Sequence, residues 1–454
     1  MSKNLDPVTG KIYPVFFYYS IPSVIGMLAM SSAVVVDGFF LGNYTSTSSL
    51  ASVNLTIPAS ALLFGLALML SVGGTIRCGK YLGAGDGQAA SAIFSQTIIL
   101  ICLLSVVLSA LGLIFMDQLV FFLGADKTLA PAVAEYLNIL LLFTIFQLAS
   151  VCLSYFIRVA SLPFWAAAGM ILGSFLNVFL DWVFVVNLQM GHKGAALATG
   201  IAAVLTFLFL CVPFLTKRTT LRFYWRKKDI PELLKAAMNG FPEFIDEFSV
   251  GIIVIVFNWI IMKQLGESGI AAFSIINYMI LTGLVISYGI SDSLQSVVSR
   301  NFGALQHNRI KKVMNLSVAL VFVVGIAFSI LLVMVPHIVS DLFIDSGELE
   351  TIKLTNYFIS RIWPIFMVNG VNIILVSYLT AMNRSLDSTL IILARNLLLP
   401  IIFLFIIHVL IGKDAILIVL PLSEIATFCI AIFLIYKNSP KKLVTNVAAL
   451  NIAV

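Results

Sequence analysis

The chain has 454 residues, of which 60% are hydrophobic and 11% charged, with a formal net charge of +6. Its mean hydropathy is +1.07 and its pI about 9.0. A soluble chain carries about 25% charged residues, so this composition excludes a water-soluble protein and leaves only short loops outside lipid.

Apolar stretches of about 20 residues, long enough to span, are read near 15–40, 51–75, 91–116, 133–156, 163–186 and 194–215. Six more follow near 241–264, 271–297, 313–335, 354–380, 388–410 and 414–436. The two sets are copies. Shifted by 220 positions without a gap, Pro22 falls over Pro242, Ala51 over Ala271 and Gly83-Ala84 over Gly303-Ala304. An even number of spans returns the chain to its starting side, so the copies are parallel repeats about an axis along the membrane normal. The expected fold is an all-α integral membrane protein with 12 transmembrane helices in two six-helix lobes. The lobes are expected at 1–215 and 239–454, joined by a basic cytoplasmic linker at 216–238. Two fused, related helical halves are the architecture of a secondary carrier, whose substrate site lies between the repeats.

Loop charge sets the orientation. The N-terminus, the C-terminus and the loops on their side hold twenty Lys and Arg, and the opposite loops hold five: Lys127, Lys193, Lys263, Lys353 and Lys413. Both termini are therefore expected in the cytoplasm, and the high pI is membrane asymmetry rather than a nucleic-acid surface. The densest basic stretch, Lys217–Lys228 with Tyr224 and Trp225, reads either as lying at the inner headgroup surface or as a solvated linker. No cleavable signal peptide is visible. The five cysteines contain no CxxC and no extracellular pair, so neither a disulfide framework nor a metal cluster is expected.

An ionisable group inside a span costs a few kcal/mol on insertion scales. Asp37 in span 1 and Asp181 in span 5 both fall about 18–22 residues after their helix starts, which places them at one depth in the outer half. Asn177 precedes Asp181 by four and shares its helix face. This cluster suits a carboxylate that binds and releases a proton, or a partly dehydrated Na⁺ held by hard oxygen ligands. Hydrogen bonds that merely tie two helices together are the structural alternative. The second half has Phe257 where the first has Asp37, so the acid cluster is one-sided. Span 7 instead opens with Glu243, Asp246 and Glu247; Asp246 and Glu247 either line an inward vestibule or complement the helix dipole. Arg361, Arg395 and Glu424 need partners, and a buried pair of Glu424 with one arginine is the favoured reading over a coupling carboxylate. His408 reads as interfacial. Prolines 22, 58, 242 and 364 lie in or at spans. Pro22 shares a helix with Asp37, so protonation is either coupled to a bend there or passes beside a static kink.

Pro22 with Asp37, the segment Ser71-Val-Gly-Gly-Thr-Ile-Arg-Cys-Gly-Lys-Tyr-Leu-Gly-Ala-Gly-Asp86, Asn177 with Asp181, and Gln295 to Ala304 together resemble the multidrug and toxic compound extrusion (MATE) transporters. The resemblance covers essentially the whole chain, and Asn258 with the Gly-Ala helix ends resembles the bacterial DinF-like and MepA-like branch. It implies export of cationic, amphipathic drugs and dyes, a theme of antibiotic resistance, by two rocking six-helix lobes of one monomer in the bacterial inner membrane. It also implies coupling to inward H⁺, or to Na⁺, with no other cofactor. The family's first-lobe site carries over onto Asp37, Asn177 and Asp181, and a second-lobe cavity onto Asp246, Glu247, Asn258 and Gln295. One branch of the family has further acids in spans 7 and 10; here that part of span 7 is apolar and span 10 offers only Asn369 and Asn372, which favours coupling through the first lobe.

Other classes fit less well. A lipid-linked precursor flippase of the same superfamily would show extra spans and an arginine-lined cavity. An enzyme would need a nucleophile with its base or a metal set, and there is no HExxH, GxSxG or phosphate-cradling loop. The four histidines, His192, His307, His337 and His408, are scattered, and an ATP-driven pump lacks a nucleotide domain. A channel is a poor match to an acid pair confined to one half of a repeat.

Overall fold

The structure, a computed structural model, describes residues 3–224, 230–334, 349–410 and 417–452. Trp225 to Lys228 of the basic stretch, His337 and Lys413 lie outside the described residues, as do the side chain of His408 and the edges of the spans expected at 313–335 and 414–436.

Hydrocarbon supplies no hydrogen-bond partner, so a spanning backbone must close its own bonds; the long apolar runs accordingly fold as helices. The first half contains α1 (Ile12–Tyr44), α2 (Thr47–Gly83), α3 (Gly87–Ile114), the short α4 (Met116–Phe122), α5 (Ala130–Val159), α6 (Pro163–Asp181) and α7 (Gly191–Leu215). A π turn, Trp182–Asn187, continues α6. Hydroxyls inside the spans return to their own helix, as Ser20 does to the Phe16 carbonyl at 2.6 Å and Ser23 to that of Tyr19 at 2.9 Å. Ser46 caps α2 through the Ser49 N–H, and Asp86 caps α3 through the Ala89 N–H.

The chain continues as α8 (Ile230–Gly303), α9 (His307–Met334), α10 (Leu349–Ile362), α11 (Ile365–Ala381), α12 (Ser385–Leu393), α13 (Leu399–Leu410), α14 (Val419–Lys437) and α15 (Pro440–Ile452). A second π turn, Ala394–Leu398, joins α12 to α13. Among the described residues ten helices are long and apolar enough to cross a membrane, and α10 with α11, bent by 55°, forms one more. Pro364 sits at that bend. The 74-residue α8 breaks at Gly266, whose φ of 64° and ψ of −156° are not helical. It therefore supplies two spans, and the total is twelve.

Two compact units divide the fold: Met1–Phe244 with Ser299–Ala304, and Ile245–Val298 with Leu305–Val454. The first is packed around Phe94, whose ring stacks on Phe214 at 4.8 Å and meets Phe156 edge-on at 5.2 Å. Its second notable contact surface joins the end of α2 to both ends of α8. A Cβ at Gly83 would stand 1.9 Å from the Arg300 carbonyl, and one at Gly303 would stand 1.9 Å from the Lys80 carbonyl. Lys80 and Arg300 are themselves 220 positions apart, so the contact is reciprocal, as an internal two-fold repeat requires. A Cβ at Gly73 would likewise stand 1.9 Å from the Ala236 carbonyl and one at Gly240 1.8 Å from that of Met69, a close approach that the 220-residue offset does not relate. The turns that follow are also alike: Gly85 and Leu305 have φ of 83° and 57°. Glu232 fastens the start of α8 by accepting from Arg77 at 2.9 Å, Tyr81 at 3.1 Å and Lys235 at 2.8 Å. The N-terminal segment closes on the same region, where Asn301 Nδ2 donates to the Pro7 carbonyl at 3.0 Å.

The second unit packs around Phe257 and Phe273, 5.6 Å apart, with Ile276, Ile362 and Phe366. Its polar centre is an ion pair. Arg395 Nε donates to Glu424 Oε1 at 2.8 Å, and the two side chains are 7% and 8% exposed. Arg395 Nη2 donates to Asn369 Oδ1, while Asn372 Nδ2 donates to Glu424 Oε2 at 2.7 Å and to its carbonyl at 2.9 Å. Of the two arginines left open by the sequence, Arg395 is the partner. Arg361 is exposed and lies over the Tyr357 ring at 5.3 Å.

Arg395→Ala strands a buried carboxylate and is expected to cost about 3–5 kcal/mol, whereas the double change to Met at 395 and 424 is expected to be near neutral. A double-mutant cycle of thermal unfolding in detergent checks this. Gly83→Val or Gly303→Val must push one backbone off another and is expected to cost at least ~1–3 kcal/mol. Gly38→Ala, with nothing within 4 Å of its added Cβ, is expected to leave the melting temperature unchanged or slightly raised. Asp6 accepts from the N–H groups of Val8 and Thr9 at 2.9 Å each. Burial alone would raise its pKa, but these bonds and the Arg300 charge outweigh it and hold the group below its ordinary 3.8. A depressed carboxylate stabilises the fold above its unfolded value and loses that contribution as pH falls through the folded one. Hydrogen exchange at Val8 and Thr9 is therefore expected to be protected at neutral pH and to lose protection only below about pH 3.8.

Candidate functional site

Asp37 lies three-quarters of the way along α1, and Asp181 ends α6 where the π turn begins. A π turn widens the helix and re-aims the side chains around it. Since α1 and α6 pack along each other, the two carboxyl groups come within hydrogen-bonding reach. Asp181 is fully buried and Asp37 half-buried. Asp37 Oδ1 and both Asp181 carboxylate oxygens have no donor among the described residues. Two carboxylates offer only acceptors to each other, so the ionised pair repels, and a proton between them converts repulsion into a hydrogen bond. A bound monovalent cation would serve the same electrostatic need.

Tyr136 of α5 stands near both aspartates. It is 6% exposed and packs with Leu41, Val185, Ala195 and Ala196. The sequence carried no signal for it, because one tyrosine in an apolar span has no spacing to read. Asn177 sits one turn before Asp181 and is half-buried; its Nδ2 donates to Thr199 Oγ1 of α7 at 3.3 Å. Thr199 was likewise unmarked. Pro22 is buried within α1, which continues through it as one helix of 33 residues. At the depth of Asp37, the face of α1 that carries Gly38 and Gly42 is open, since a Cβ at either would meet nothing within 4 Å.

The candidates in the second unit do not form one cluster. Asp246 Oδ1 accepts from Asn396 Nδ2 of the second π turn at 2.8 Å, a partner the sequence did not suggest. Glu247 is half-buried beside it. Asn258, twelve residues further, lies about 18 Å along the same helix, and Gln295, 4% exposed, belongs to the other half of α8. His192 of the first unit is held between Ser49 Oγ at 3.3 Å and Glu135 Oε2 at 3.2 Å. Among the described residues no three His, Cys, Asp or Glu side chains converge as a metal site.

The chain is 24% identical over 436 residues to the multidrug export protein MepA of Staphylococcus haemolyticus, covering 94% of each chain. Its fold matches the outward-facing conformation of a multidrug resistance MATE family transporter of the MOP superfamily with a TM-score of 0.90 at 22% identity, covering 98% of this chain and 99% of that one. A MOP superfamily transporter from Pyrococcus furiosus, described as having a binding pocket of reverse polarity that suggests a different function, matches with a TM-score of 0.89 at 22% identity over the same shares. The MatE family model matches twice, at residues 22–183 and 242–406, and its two starts are 220 positions apart, the offset of the internal repeat. On these two matches, which together take in most of its length, the chain belongs to the MatE family.

Proposed function

We propose that this multi-pass membrane protein exports cationic, amphipathic compounds in exchange for protons, by alternating access. The observation that carries the reading is the Asp37–Asp181 pair, with Asp181 buried and Asp37 half-buried, without a basic partner among the described residues, and within reach of one shared proton. The multidrug export name of the staphylococcal relative supports the substrate class. The lobes are proposed at 1–215 and 239–454 with the linker at 216–238, both termini in the cytoplasm of a bacterial inner membrane, and one chain as the working unit.

A bound organic cation neutralises the aspartate pair from the inside. Protons entering from outside do the same and remove the attraction that held the drug, since a low-dielectric site cannot leave the pair unpaired. Whichever occupant is present selects the state that fits it. Asn177, anchored to Thr199, positions an oxygen on the same helix face, and Tyr136 supplies a hydroxyl near both acids. Asp246 and Glu247 are proposed to line the inward vestibule, with Asn258 and Gln295 on its walls, and Pro22 to let α1 bend.

Ethidium uptake into vesicles holding the purified protein tests this. An imposed pH gradient is expected to drive uptake, and Asp37→Asn or Asp181→Asn to reduce it to that of empty vesicles. Tyr136→Phe is expected to keep uptake and shift its pH profile. Uptake driven by a Na⁺ gradient alone would reassign the pair to Na⁺, and no dye movement under either gradient would favour a lipid-linked precursor or metabolite carrier.

A further inference from the structure

The chain leaving α7 does not run free. It turns at Lys217, whose φ is 57°, and is strapped across the end of α3. Ser91 Oγ accepts from the Arg222 N–H at 3.3 Å and Ser95 Oγ accepts from the Tyr224 N–H at 2.8 Å. Thr219 and Leu221 are buried by this strap at 5% and 1% exposure, and Arg218 lies over the Trp165 ring at 5.6 Å. Beneath it is a cavity of about 290 Å³ bounded by α3, α5, α7 and the strap. Its walls are apolar, including Phe94, Leu153, Phe207 and Cys211, and its rim carries Lys217 and Arg222. Both rim cations are exposed, and among the described residues no acidic side chain lines the cavity. Leu215 and Phe223, which also line it, are 78% and 68% exposed.

An apolar slot rimmed by two cations, on the face that carries the chain's basic excess, matches one chemistry. We propose that the cavity holds an acyl chain of an anionic phospholipid from the cytoplasmic leaflet, with its phosphate on Lys217 and Arg222. Its volume is at the small end for a ligand pocket, which suits a single chain rather than a whole lipid. A basic group near an anionic surface favours binding by about fivefold, so two such groups give a strong headgroup preference while the aromatic wall supplies the rest. The strap joins the two repeats, so the lipid would seat the linker's first turn at the membrane surface.

Native mass spectrometry of the full-length protein, released from nanodiscs of mixed phosphatidylglycerol and phosphatidylcholine with matched chains, tests the proposal. One retained phosphatidylglycerol is expected. Lys217→Gln with Arg222→Gln is expected to lose the headgroup preference, by about fivefold per residue, and Cys211→Phe, which fills the slot, to lose retention of both lipids. Equal retention of the two lipids by the native chain, or undiminished retention by Cys211→Phe, would overturn it. An independent check needs no cavity variant: in vesicles, alkylation of the Cys211 peptide of the native chain is expected to be slower in phosphatidylglycerol than in phosphatidylcholine. Equal rates would sink the idea as surely.

Discussion

A polar group inside hydrocarbon has only the protein to answer it, and most of the detail in this fold follows from that constraint. Hydroxyls fold back onto their own helix carbonyls, and glycines let two backbones meet where a side chain would intrude. Charges are settled in two contrasting ways. In the second unit Glu424 meets Arg395, Asn369 and Asn372 complete the set, and the result is a closed arrangement with every charge matched. In the first unit Asp37 meets Asp181, like facing like. The first arrangement is complete in itself, while the second is the one proposed to take a proton or a cation from outside.

Both halves place a π turn in the fifth of their six spans, and in both the turn adjoins the buried polar residues: Asp181 in one, Arg395 and Asn396 in the other. The two turns do not occupy equivalent positions: shifted by 220, Trp182–Asn187 falls on 402–407, inside α13. In the proposed mechanism the acid pair of the first unit exchanges a cation, whereas Glu424 of the second is held by a guanidinium.

The repeat, the twelve spans and the aspartate pair were legible in the sequence because each rests on spacing. Helix depth follows from counting residues, and Asp37 and Asp181 share it. Depth could not choose between Arg361 and Arg395 for Glu424, since both lie within a turn or two of it. Both spans pack against α14, and the choice is made by the face each arginine occupies: Arg395 is buried against Glu424, whereas Arg361 is exposed. Tyr136, Thr199 and the Asn396 partner of Asp246 were invisible for a related reason: a lone polar side chain in an apolar run announces nothing until its neighbour from another helix is known. Similarly, the basic stretch from Lys217 reads either as a segment at the headgroup surface or as a solvated linker, and only the Ser91 and Ser95 bonds make residues 219–224 a strap.

Gly83 against the Arg300 carbonyl, and Gly303 against the Lys80 carbonyl, carry a genetic corollary. When two side chains collide, a smaller neighbour can restore the fit, so the lesion has intragenic suppressors. Here the obstacle to any added atom is main chain, which no substitution can trim. A lesion at either glycine should thus be relieved only by true reversion or by changes that re-route a whole helix. Genetic selection at these two positions would return few second-site revertants, and the pair would behave as one locus despite lying 220 residues apart.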